Sequence, residues 1–246
     1  MSGLEFVVVA IAVIAGALVK AVTGVGLPII AIPVMSLFIP VEEAVVIIAV
    51  PNALMNFALL RNVAHAAGET RDLVSFNAAG VVGAVIGTFV LVSVSEEPLL
   101  IVLAVVVLAY VSTQGLREGM AVGASTSRRW SPPVGLVAGV MQGAVGISGP
   151  IVASWMHALR LDRDAYVFAV TVSFLLSGTT QIVVLAASGR LWGEPLVLGL
   201  VATIPILSTV PLGALIRRRL AGPVFDRMVL VILSTSAVAL LARVIW

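Results

Sequence analysis

The chain has 246 residues, of which 61% are apolar and 11% charged. Globular domains run at about 45–50% apolar and about 25% charged, so a soluble protein with a charged skin is excluded. The net charge of +2 is small and its basic residues are scattered over short loops, which argues against a nucleic-acid partner, and the absence of cysteine excludes disulfides and thiolate metal sites.

The N-terminus, Met1-Ser2-Gly3-Leu4-Glu5, lacks the basic leader of a signal peptide, so the first apolar segment, about 4–22, reads as retained. Further apolar segments follow at about 27–39, 42–61, 73–94 and 98–116. Ser95-Glu96-Glu97-Pro98 puts acids and a proline in a first helical turn. After a polar stretch come segments at about 133–145, 149–159, 164–187, 195–216 and 224–242. Asp162 is placed to cap the third of these, and Gly193-Glu194-Pro195 and Gly222-Pro223 punctuate the last two. The plainest charge-free stretches, among them Leu73–Ser95 and Pro195–Ile216, reach the roughly 20 residues a membrane-spanning helix needs. Segments 27–39 and 149–159 are too short for an easy crossing and fit re-entrant hairpins.

Charge tests the count of ten. If the loop carrying Arg117, Arg128 and Arg129 is cytoplasmic, Arg61, Arg71, Arg160, Arg163, Arg217, Arg218, Arg219 and Arg227 fall on the same side, as the positive-inside rule demands. Only Arg190 and Arg243 lie outside against the rule, on the side of Glu42, Glu43, Glu96 and Glu97, while Lys20 lies within the membrane.

The two halves resemble each other. Gly16-x-x-x-Lys20-x-x-Thr23-Gly24-Val25-Gly26-Leu27-Pro28-Ile29 matches Gly139-x-x-Gln142-x-x-Val145-Gly146-Ile147-Ser148-Gly149-Pro150-Ile151 with a one-residue slip. Asn52 and Asn56 match Ser173 and Ser177 at the same spacing. Five segments per half is odd, so the second half enters the membrane upside down. The expected fold is an all-α integral membrane protein. It has two inverted five-segment repeats, with broken or re-entrant helices at 4–39 and 133–159. Residues 1–117 form the first repeat, 118–131 a cytoplasmic linker and 132–246 the second repeat. Inverted repeats with interrupted helices are common in secondary transporters.

The glycine-proline turns are the strongest local signal. Glycine lets the backbone approach a ligand, and the helix start that follows offers free N–H groups and a positive dipole end that favour an anion. Lys20, the only lysine, sits one turn before the first of them, and an intramembrane ionisable group is a functional hypothesis by default. Its counterpart is the neutral Gln142. The expected binding set is therefore Lys20, Thr23, Gly24, Gly26, Asn52, Asn56, Gln142, Gly146, Ser148, Gly149, Ser173 and Ser177. Thr179, Thr180 and Gln181 are further polar groups in an apolar segment. The Gly83-x-x-x-Gly87 and Gly135-x-x-x-Gly139-x-x-x-Gly143 runs read as close helix packing. The acidic residues lie in loops or at segment ends, so no proton relay is visible, and His65 and His157 lack the company a metal site needs. No cofactor and no metal are expected. The partners are a small anionic substrate and the lipid bilayer, with a homodimer left open.

The glycine-rich turn followed by proline in each half, with the Ala44/Asn52 and Ala165/Ser173 regions at similar distances behind it, resembles the TauE/SafE family of sulfite exporters. The resemblance covers nearly the whole chain. It implies a multi-pass protein of the bacterial inner membrane that exports sulfite, sulfoacetate or a related organosulfonate. The alternatives are a transporter of another small anion and an intramembrane serine hydrolase using Ser148 of Gly146-Ile147-Ser148-Gly149, with His157 as base.

Overall fold

The computed structural model describes residues 3–23, 26–113, 121–220 and 222–245, apart from the side chains at 21–23, 113, 210–220, 223, 224 and 226. Among the described residues there are ten α-helices and no strand: α1 Gly3–Thr23, α2 Leu27–Met35, α3 Val41–Val63, α4 Leu73–Ser93, α5 Glu96–Thr113, α6 Ala124–Val145, α7 Gly149–Ala158, α8 Arg163–Ala187, α9 Glu194–Leu220 and α10 Pro223–Ile245. A 3₁₀ turn, Ala64–Glu69, follows α3. Five of these helices are long and apolar enough to cross a membrane, among them α4 and α8.

The expected ten segments are all present, with two local corrections. The sixth begins at Ala124, not near 133, and runs through Pro132 and Pro133. Its first two turns carry Arg128, Arg129 and two serines, so an apolar pattern cannot register them. The carbonyls those prolines leave unbonded are the ones of Arg128 and Arg129, four residues back. Asp162 stands at the N-cap of α8 but makes no side-chain capping bond. At nine and ten residues, α2 and α7 are about 14–15 Å long, half of a roughly 30 Å hydrocarbon core. Each starts with proline in its first turn.

Contacts between helices follow an exchange of halves. α1 packs on α9 as α6 packs on α4; α3 packs on α9 as α8 packs on α4; α2 packs on α3 as α7 packs on α8. α3 meets α8 directly, and α5 meets α10. In addition, α2 reaches α10 and α5. The apolar core is split accordingly. One cluster draws mainly on α1, α2, α3, α5 and α10, with Leu27, Ile47 and Leu103 at its heart, and extends to Leu91 of α4, Val145 of α6, Leu185 of α8 and Ile206 of α9. A second joins α4, α6, α7 and α8 through Phe76, Ala138, Met156 and Phe174.

The α4–α6 contact is a glycine seam. A Cβ on Gly139 would run into the Gly80 carbonyl, one on Gly135 into the Phe76 carbonyl, and one on Gly83 into the Leu136 carbonyl. The two backbones thus touch, the geometry that small residues allow between membrane helices. A similar fit seats α9 on α3. Pro51 deprives the Ile47 carbonyl of its helical partner, and that oxygen faces Gly199, where a Cβ would come within 2.6 Å of it.

Ion pairs group residues as the ten-segment count groups them. On one face Arg190 Nη1 lies 3.5 Å from Glu42 Oε1, and Arg243 Nη2 lies 3.0 Å from Glu96 Oε1. Arg243 Nη1 also donates to the Ser36 carbonyl. On the other face His65 Nε2 lies 3.2 Å from Asp164 Oδ2, Arg71 donates to the Val122 carbonyl at 3.0 Å, and the Ser127 hydroxyl donates to Asp72 Oδ2 at 2.6 Å.

Candidate functional site

Lys20 lies in the last turn of α1, where a cation is favoured by the helix dipole. It is 3% exposed, and protein groups meet its ammonium. Its Nζ donates to Asn52 Oδ1 at 2.7 Å and to Asn56 Oδ1 at 2.9 Å. The four-residue spacing on α3 puts both amides on one helix face. Two of the three ammonium donors are thereby used. On its other side Lys20 Nζ stands 5.8 Å from the centre of the Phe174 ring of α8, within reach of a cation–π contact. Among the described residues, Asn56 Nδ2 is buried with no partner.

The counterpart group on α6 is neutral but equally ordered. The Ser148 hydroxyl donates to Gln142 Oε1 at 2.9 Å, and Gln142 Nε2 donates to Gln181 Oε1 at 3.2 Å. Gln181 Nε2 in turn donates to the carbonyls of Gln142 and Gly143, at 2.8 and 3.1 Å, at the end of α6. α8 therefore braces the break between α6 and α7. The break itself needs glycine. Gly146 has φ +72°, and a Cβ there would lie 2.5 Å from Ile32 Cδ1 of α2. The tip of α6 thus comes against α2 of the other half. Among the described residues, the N–H groups of Ile147, Ser148 and Gly149 have no acceptor. These are the orphan donors of a helix start.

A small cavity lies between these parts, bounded by Lys20, Gly26, Asn52, Gln142, Ser148 and Phe174, with Gly146 and Gly149 beside them. Both helix starts, that of α2 at Gly26–Pro28 and that of α7 at Ser148–Gly149, reach it. A fixed ammonium and unpaired N–H groups at a helix start together make a donor-bearing pocket suited to an anion.

Of the residues expected from the sequence, Lys20, Gly26, Asn52, Gln142, Gly146, Ser148 and Gly149 are brought together around this cavity. Asn56 holds Lys20 from behind without being among its lining residues. Ser173 and Ser177 do not line it. They face a neighbouring cavity, and their hydroxyls donate to the Ala169 and Ser173 carbonyls of their own helix. The Thr23 side chain and Gly24 lie outside the described residues. Ser148 has Gln142 as its partner, and His157 is exposed near the far end of α7, so the pairing a serine nucleophile needs is not formed. One contributor escaped the sequence reading: Phe174 carries no polar signal, yet its ring lines the cavity beside Lys20.

The sequence model of one family, described as "Sulfite exporter TauE/SafE", matches residues 8–240, nearly the whole chain. Comparisons with curated proteins and with solved structures return no match.

Proposed function

The chain belongs to the sulfite exporter TauE/SafE family, a family of multi-pass membrane transporters, and from that premise we propose that it carries a small sulfur oxyanion, sulfite or an organosulfonate, out of the bacterial cytoplasm. The anion sits between the starts of α2 and α7. The observation that carries this reading is the cavity that brings Lys20 of one half to Ser148 and Gln142 of the other. Lys20 supplies charge, the orphan N–H groups of Ser148 and Gly149 supply directed donors, and the oxygens of a sulfite or sulfonate group supply several acceptors. The site is lopsided, with a cation toward α1 and a neutral amide toward α6, so a singly charged sulfonate is bound without a second buried counter-charge. The parity of five helices per half, together with the exchanged contacts, supports an inverted repeat and a site at the repeat junction.

The test is anion flux in proteoliposomes, with sulfite, sulfoacetate, chloride, phosphate and acetate run side by side for the wild type and Lys20→Met. Selective flux of the sulfur anions, lost in a folded Lys20→Met protein, is the expected result. Equal flux of all anions, or flux indifferent to Lys20, would sink the reading.

A further inference from the structure

The central cavity does not stand alone. Ser148 also lines a second small cavity, between α4, α6, α7 and α8. Asn77 lines that second cavity and also a third, wider one of about 850 Å³ in the crevice between α4 and α8. The crevice reaches Thr70, beside the 3₁₀ turn, and Thr70, Leu73, Val74 and Ala78 are shared with a surface hollow that contains Arg128. The cavities therefore run in series, with Asn77 and Ser148 as the partitions between them. The series ends on the face bearing Arg61, Arg71 and Arg128, the cytoplasmic side by the positive-inside rule. The opposite face is the one tied by Arg190–Glu42 and Arg243–Glu96.

The chemistry at the middle partition is specific. Ser173 and Ser177 spend their hydroxyl protons on their own helix, and Ser148 spends its proton on Gln142. Asn77 is 8% exposed and, among the described residues, its side chain makes no hydrogen bond. Its carboxamide is therefore the one side chain at the second cavity with N–H donors to spare. The Asn77 amide atoms are not among the sealed, unpartnered polar atoms of the described residues, so they stay reachable from the two cavities that the residue lines. A neutral donor pair also suits a passing oxyanion, which it binds without trapping.

We propose that the α4–α8 crevice is the cytoplasmic access route and that Asn77 is a relay site on it, donating to the oxyanion before the anion moves past Ser148 to Lys20. Past Thr70, whose hydroxyl is spent on the Ala67 carbonyl, the crevice wall is otherwise apolar, with Val81, Phe168, Val172 and Leu176, so Asn77 is the point at which a dehydrating anion first finds a spare donor.

This rests on the anion-transport reading, and the test separates the two. Because the chain has no cysteine, Asn77→Cys creates a unique thiol. In inside-out and right-side-out vesicles, a membrane-impermeant anionic methanethiosulfonate should modify the N77C thiol from the cytoplasmic face only. Sulfoacetate should slow the reaction. It is the protectant of choice because sulfite itself attacks the reagent. Asn77→Asp, the same shape with a repelling charge, should lower flux by about tenfold or more, whereas Asn77→Gln, which keeps the donors, should keep most of it. Folding of each variant is read from monodispersity in detergent. If the wild type carries no anion, the functional reading falls and the relay with it. If the wild type carries sulfite while the N77C thiol is unreachable from the cytoplasm, or while Asn77→Asp transports normally, the relay alone falls.

Discussion

Arg190 Nη1 stands 3.5 Å from Glu42 Oε1, joining the turn after α8 to the first turn of α3. Arg190 and Arg243 are the two arginines that the charge count leaves on the wrong face, and each is matched there by a glutamate of the first half. Partly exposed pairs of this kind are worth about 0–1 kcal/mol, so Glu42→Gln or Arg190→Gln should barely move the melting temperature. The pair nonetheless spans the two halves. Breaking both pairs at once, with Arg190→Gln and Arg243→Gln, should raise labelling of cysteines introduced at the central cavity from the outer face. Reversing the Glu42 and Arg190 charges together should restore the native pattern.

Lys20 is held by two amide oxygens, and Asn56 carries a buried Nδ2 with no partner among the described residues. Asn56→Asp replaces that orphan donor by an oxygen and gives the ammonium a carboxylate of nearly the same shape. The expected outcome is unchanged or higher thermal stability with flux lowered about tenfold or more, because the cation is then neutralised by the protein and not by the substrate. A fall in both stability and flux would count against Lys20 as the substrate's counter-charge.

Gln142 links Ser148 to Gln181 and thereby fixes the tip of α7. Gln142→Leu leaves the buried Ser148 hydroxyl and the Gln181 carbonyl without partners, a cost of about 1–3 kcal/mol. The measured consequence should be a lower melting temperature and a raised KM for sulfite, with less change in maximal flux. The reverse split would mean that Gln142 serves the transport step more than binding.

The glycine seam predicts where the fold is intolerant. Gly139→Leu forces α4 and α6 apart against the Gly80 carbonyl, and overpacking of this sort typically costs about 1–3 kcal/mol. It should abolish monodisperse protein in detergent. Gly68→Ala, with nothing within 4 Å of the added carbon, should leave the protein unchanged.

If no proton or sodium ion is coupled, an inside-negative potential favours exit of a monovalent anion by about 2.3 kcal/mol per 100 mV. Flux from proteoliposomes at a clamped potassium diffusion potential should then rise with voltage and be insensitive to proton and sodium gradients. A gradient requirement at fixed voltage would show coupling.

Much of the helix pattern and the centre of the site were legible in the sequence, because their signals are local. Ser95-Glu96-Glu97-Pro98 and Gly222-Pro223 mark helix starts by cap chemistry and proline, and α5 and α10 begin there. The doubled glycine-proline turns and the lone lysine likewise announce themselves, and Lys20, Gly26, Gln142 and Ser148 do meet. What was not legible depends on partners far along the chain. Gly83 and Gly139 each advertise a flat helix face, but nothing in either stretch says that they face each other. Ser173 and Asn52 occupy matching positions in the repeat, yet one bonds its own helix and the other holds a lysine that the second half lacks. Asn77 was lost among apolar neighbours near a segment end, and the charged first turns of α6 hid a helix inside an expected linker.

The exchange of α4 and α9 between the halves bears on how the protein is made. The bundle around α1–α3 is completed by α9, and the bundle around α6–α8 by α4. The first half leaves the ribosome carrying a helix whose resting place has not been synthesised yet. During insertion α4 must wait in lipid with its glycine face bare until α6 arrives. Two separately expressed half-chains would each lack the helix that closes its own bundle. They should be unstable alone and recover only when made in the same membrane, where each can lend the other the missing piece.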